Sequence, residues 1–216
     1  MITTLLVSLF TWAADAKQLG IEAAARGHFN TAATHFAAAC ENAPGDEDAC
    51  YFLGRTLYTL ARYSEARTAF EKASRAAPAD KRERAARAAA LNFVALDLPE
   101  EAEARFRDAV RAHLGGEDSR VDFGAFLTRQ GRATEAAALL EAALKNQPQS
   151  ARANAELGRA LMHLGRTVAA VPRLERALRL DPKLSDIRLL LGRAYLTLGR
   201  TAEGERELRH GSSTAK

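Results

Sequence analysis

Residues 151–184 read ARANAELGRALMHLGRTVAAVPRLERALRLDPKL. Apolar and small residues keep helical spacing through Leu157, Gly158, Leu161, Met162 and Leu164, break at Gly165-Arg166, and resume through Ala170, Leu174, Ala177 and Leu178 until Asp181-Pro182. The stretch therefore predicts a helical hairpin. Gly165 suits the left-handed conformation that ends a helix, and Pro182 stops the second helix from continuing. Pro172 lies inside that second helix, near enough to its start that its missing N–H donor is expected to cost little.

The landmarks of this hairpin return along the whole chain. A small residue stands at Gly20, Gly54, Ala90, Gly124, Gly158 and Gly192, in steps of 34, 36, 34, 34 and 34. A second small column follows at Ala32, Ala66, Ala102, Ala136, Ala170 and Gly204, then a bulky one at Phe36, Phe70, Phe106, Leu140, Leu174 and Leu208. Another small column lies at Ala39, Ala73, Ala109, Ala143, Ala177 and Gly211, while Pro44, Pro78, Pro148 and Pro182 close four units. A fixed period of this size means stacked copies of one supersecondary unit in place of a single closed core. Small columns belong where two helix axes approach closely, and bulky residues fill the space beside them. The expected units lie near 13–46, 47–80, 83–116, 117–150, 151–184 and 185–209, forming one array over 17–209. Alanine-rich helices and few β-branched runs exclude a sheet, so the fold class is all-α.

At these residues the chain resembles the tetratricopeptide repeat family. The family's Leu-Gly pair, followed three positions later by a large residue, stands as Leu53-Gly54 with Leu57, Leu157-Gly158 with Leu161, and Leu191-Gly192 with Tyr195. The third unit departs most, with Ala89-Ala90, a mid-unit Asp97-Leu98-Pro99, Leu114 for the closing Pro, and two extra residues near Lys81-Arg82. The resemblance implies a right-handed α-solenoid of six helix-turn-helix repeats, whose first helices line a concave surface used to hold a peptide or partner protein. It also implies a test for one subclass, whose Lys, Asn and Arg clamp grips acidic chaperone tails. Lys17 and Arg84 match two clamp places, but Ile21, Phe52 and Ala88 occupy others, so that clamp is not supported.

Chemistry-bearing motifs are scarce. The five histidines His28, His35, His113, His163 and His210 are scattered without metal-ligand spacing. No phosphate loop, nucleophile elbow or Cys-x-x-Cys is present, so neither an enzyme nor a cofactor or metal site is expected. The net charge of +4 is mild, and basic residues alternate with Glu and Asp without forming a stripe. That makes a nucleic-acid partner the weaker alternative to a protein. An accessory subunit of an enzyme or assembly complex is indistinguishable from a scaffold at this level.

Residues 1–16 stand apart from the repeats. Ile2–Trp12 is an apolar run too short for a membrane span, and Ala14-Asp15-Ala16 has the small-x-small form of a signal-peptidase site. A cleaved export signal, and hence a periplasmic or secreted protein, is expected. The absence of Lys and Arg in the run supports the alternative of an apolar first helix in a cytoplasmic protein.

Residues left free by the repeat are the candidates for function. On the family geometry the concave partner-binding positions include Tyr51, Arg55, Tyr58, Arg84, Arg87, Arg129, Arg159, Met162, His163 and Arg193. Arginine pairs carboxylates bidentately and tyrosine supplies desolvated anchors, so this set suits an acidic and apolar segment. Cys40 and Cys50, the only cysteines, flank residue 45 at the turn between two units, where antiparallel helices bring equidistant residues level. They are expected either to bridge or to remain two small buried thiols. The last unit, with Gly204 and Gly211 in its second helix, is expected to be the weakest, and residues 210–216 disordered.

Overall fold

The computed structural model describes residues 2–43, 45–112 and 116–214; side chains are described from residue 13 to residue 212 within that span. The closing Pro44, His113, Leu114 and the last two residues of the expected tail lie outside the described residues. Twelve helices and no strand are present among the described residues: α1 Ile2–Ala25, α2 Phe29–Asn42, α3 Glu47–Thr59, α4 Tyr63–Ala76, α5 Arg82–Ala95, α6 Pro99–Arg111, α7 Glu117–Arg129, α8 Ala133–Asn146, α9 Ala151–His163, α10 Thr167–Leu180, α11 Ser185–Thr197 and α12 Thr201–Thr214. They pair as six hairpins, odd helix with following even helix, and form an α-solenoid architecture. The chain divides into two compact units, Met1–Leu114 and Gly115–Lys216.

Within each hairpin the small and bulky columns meet directly. A Cβ added to Gly54 would lie 2.6 Å from Phe70 Cδ1, and one added to Gly124 would lie 2.7 Å from Leu140 Cγ. Phe70, Phe106, Leu140 and Leu174 are buried beneath these small residues. The close approach that selects glycine here is thus between a first helix and the bulky side chain of its own partner helix. Mid-hairpin turns need a different property, a positive φ, which Gly27, Gly131, Gly165 and Gly199 adopt at 68–77°. The second and third repeats place Ala61 and Asp97 in the same conformation, at φ 56° and 57°. For alanine this backbone costs about 1 kcal/mol or more, because Cβ crowds the following carbonyl.

Three details differ from the sequence expectation. Pro172 is the sixth residue of α10, past the turn whose donors are unpaired in any helix, so it removes a bond to the Val168 carbonyl. α12 continues through Thr214, where disorder from residue 210 is expected. Gly211 is buried there, and a Cβ on it would lie 2.7 Å from Leu189 Cδ2. Gly204 is equally confined, its added Cβ 2.9 Å from the Gly192 carbonyl oxygen, so both glycines serve close packing of α12 on α11.

α1 is 24 residues long, whereas α3, α7, α9 and α11 have 13 each. Counting one 34-residue period back from Glu47 places the repeat's own start at Ala13, leaving Ile2–Trp12 as an extension. Ala16 packs in one cluster with Ala39, Cys40, Ala49 and Cys50. The two cysteine Sγ atoms are joined there, with the Cα atoms 4.8 Å apart, linking α2 of the first repeat to α3 of the second. No described helix is long and apolar enough to cross a membrane.

Candidate functional site

The site begins with the charges that fasten the second repeat to the third. Glu47 and Asp48 occupy the first turn of α3, where the helix dipole favours acids, and they face Lys81 and Arg84 at the start of α5. Lys81 Nζ donates to Asp48 Oδ2 at 2.6 Å, and Arg84 Nη2 donates to Glu47 Oε2 at 2.5 Å and also to Asp48 Oδ1. Burial pushes the Asp48 carboxyl up, but the hydrogen bonds from Lys81 and Arg84 outweigh it and hold the group down at about 2. Hydrogen bonding to Asp48 likewise raises the Lys81 ammonium above its ordinary range. Arg84, one of the expected partner-binding residues, donates to both acids of this internal cluster. Its guanidinium also lies 4.6 Å from the Tyr51 ring centroid, so it braces the wall of the groove next to it.

Tyr51, Arg55 and Tyr58 succeed one another on α3 at spacings of four and three, which places them along one helix face. Together with Thr59 of α3, Arg87, Ala88 and Leu91 of α5 and Phe70 of α4, they line a hollow of about 410 Å³. Tyr51 meets Phe70 edge-on with centroids 6.3 Å apart, and the Arg55 guanidinium stands 5.9 Å from the Tyr51 centroid. Tyr58 is 38 % exposed and sets its ring edge-on to Tyr63 at 5.2 Å. An adjoining hollow of about 290 Å³ shares Arg55 and Thr59 and is otherwise lined by Ile21, Ala24, Phe29, Phe36, Phe52 and Thr56. No carboxylate contributes to either wall.

Four of the expected residues, Tyr51, Arg55, Tyr58 and Arg87, thus converge on one hollow. In the second unit the pattern is different. Arg159 is drawn to Asp186, with Nη2 2.8 Å from Oδ2, and its Nε lies 3.5 Å from Glu156 Oε2. Arg129 and Arg193 are exposed on α7 and α11; Met162 is half-buried and His163 exposed on α9. Thr59, Phe52 and Phe70 line the hollows without having been singled out as site residues. Phe70 is hidden by its repeat role, since the ring that covers Gly54 also forms part of the groove wall. Thr59 could have been found from its place one turn beyond Arg55.

A larger hollow of about 610 Å³ lies among α2, α3 and α4, with Ala33, Ala37, Ala38 and Ala69 in its wall. It has no aromatic side chain, and its Arg62 and Glu65 already pair with each other at 2.6 Å. Despite its size it is the weaker binding surface, because anchoring energy comes from aromatic and Arg side chains that can be desolvated. Among the described residues, no group of three or more His, Cys, Asp or Glu is placed to hold a metal ion.

Family models described as tetratricopeptide repeat match residues 127–183 in one case and residues 23–91 and 161–215 in another. No curated protein matches the chain. Among solved structures, PilW, a widely conserved type IV pilus biogenesis factor, is similar with a TM-score of 0.77 at 22 % identity, over 90 % of each chain. YrrB, a TPR protein with an unusual peptide-binding site, gives 0.63 at 19 % identity over 83 % of this chain and 91 % of its own. Pseudomonas aeruginosa pilF gives 0.70 at 21 % identity over 76 % of each chain. At these identities the likeness is one of fold.

Proposed function

Since the chain belongs to the tetratricopeptide repeat family, we propose that it is a noncatalytic scaffold or adaptor holding a peptide segment of a partner protein in the groove between α3 and α5. The observation that carries this reading is the convergence of Tyr51, Arg55, Tyr58 and Arg87 on one hollow, beside acids that are already occupied by Lys81 and Arg84. Such a groove offers aromatic anchors and the Arg55 guanidinium with no carboxylate in its wall. The peptide-binding site named for YrrB is in keeping with it.

We further infer that the protein works outside the cytoplasm. The apolar Ile2–Trp12 extension ahead of Ala14-Asp15-Ala16 supports export, and so does the bridge between Cys40 and Cys50, since disulfides form and persist in oxidising compartments and are rare in the cytosol. The pilus-biogenesis description of PilW agrees with an envelope role. Cleavage after Ala16 would remove that residue from the cluster around the bridge but retain Lys17, whose Nζ lies 2.5 Å from Asp46 Oδ2.

The test is photo-crosslinking in cells, with a photoreactive residue at Tyr58 in one strain and at Lys72 in another. Partner adducts from position 58 and not from position 72 are expected. Adducts from position 72 alone would refute the groove.

A further inference from the structure

We infer that the occupant of the groove is a short peptide segment in which a bulky apolar side chain lies within a few residues of a carboxylate; this rests on the groove reading above. The apolar side chain enters the hollow among Ile21, Phe36 and Phe52, and the carboxylate meets Arg55. Arg55 and Thr59 belong to both hollows, so one ligand crossing that shared wall passes from an apolar compartment to a cationic, aromatic one.

Each compartment selects for its own chemistry. At the apolar end, Ile21 is 40 % exposed and Phe29 36 % exposed, two large side chains whose hydration a Leu or Phe side chain would relieve. At the other end, Arg55 is exposed and makes no ion pair among the described residues. Its guanidinium can donate two parallel hydrogen bonds to a carboxylate entering the hollow. Nearby acids do not oppose this, because Glu47 and Asp48 are bound by Lys81 and Arg84. A basic segment would bring its charge against Arg55 with no carboxylate in the wall to receive it.

A library of random dodecapeptides displayed on phage, panned on the full chain, tests the assignment against a matched library made without Asp and Glu. Binders from the first library are expected to carry Asp or Glu within about four residues of Phe, Leu, Ile or Met, and the second library is expected to yield none. For a selected synthetic peptide, fluorescence anisotropy should show Arg55→Gln weakening binding about 10- to 100-fold. The same peptide with its carboxylate changed to an amide should already have lost that factor and be indifferent to Arg55→Gln. Ile21→Ser should weaken the peptide bearing the apolar residue and leave its alanine version unchanged. Circular dichroism confirms that each variant is folded. Failure to select any peptide, or equal losses for acid and amide peptides, overturns the assignment. Binders that are lost with Tyr58→Ala but show no acidic preference overturn the chemistry while leaving the groove in place. Binding untouched by Tyr58→Ala and Arg55→Gln but abolished by Glu71→Ala with Lys72→Ala overturns the groove as well.

Discussion

Truncating Phe70 to alanine tests the packing rule on which the repeats depend. Phe70 is 2 % exposed, its ring fills the space that a Cβ on Gly54 would need, and it packs with Ala33, Leu57, Ala66 and Ala69. Removing a buried Phe costs about 3 to 5 kcal/mol, since glycine on the facing helix has no side chain with which to refill the cavity. Units four and five supply an internal control, for Leu140 and Leu174 fill the same place against Gly124 and Gly158 and are fully buried. Phe70→Leu should therefore cost only about 1 to 1.5 kcal/mol. In urea titrations followed by circular dichroism, with a slope near 2 kcal/mol/M, Phe70→Ala should lower the midpoint of the affected transition by about 2 M, and Phe70→Leu by roughly 0.5 to 0.8 M. Equal shifts for the two variants, or a shift below about 0.5 M for Phe70→Ala, would refute the role assigned to the bulky column. The array also makes the effect regional, because each repeat contacts its neighbours alone.

Ala61→Gly should raise stability by about 0.5 to 1 kcal/mol, since it relieves the backbone at φ 56° that four other repeats give to glycine; a denaturation midpoint that falls would show that the turn is not strained. Asp48 has a folded pKa of about 2 against its ordinary 3.8, so its contribution is complete above about pH 4 and is lost as pH falls toward 2. With its side chain 30 % exposed, the loss should be roughly 1 to 2 kcal/mol, and stability measured from pH 5 to pH 2 should fall less steeply for Asp48→Asn. Replacing Cys40 and Cys50 together by alanine opens a loop with a sequence separation of 10 and should cost about 2.7 kcal/mol on the chain-entropy relation. The difference should vanish in reductant, and thiol titration of protein isolated without reductant should find no free cysteine; two titrating thiols would remove both the bridge and the support it lends to export.

The repeat was legible because it is a one-dimensional property. Spacing alone places Gly54 opposite Phe70 and Gly158 opposite Leu174, since hairpin geometry repeats whenever the period does. The face shared by Tyr51, Arg55 and Tyr58 follows from the helix period in the same way. Tertiary structure alone decided which charges remain available. Arg84 and Arg55 look alike in sequence, but only Arg84 has acids of the preceding repeat, Glu47 and Asp48, within reach. Arg159 is similarly taken by Asp186 of the next repeat. It also decided that Phe70 serves the groove as well as the core, and that Gly204 and Gly211 permit close packing instead of merely weakening the last helix. The physical reason is common to all of these. Periodicity determines which face a residue occupies, whereas ion pairing and cavity walls depend on side chains meeting across helices, at separations that a change of an ångström makes or breaks.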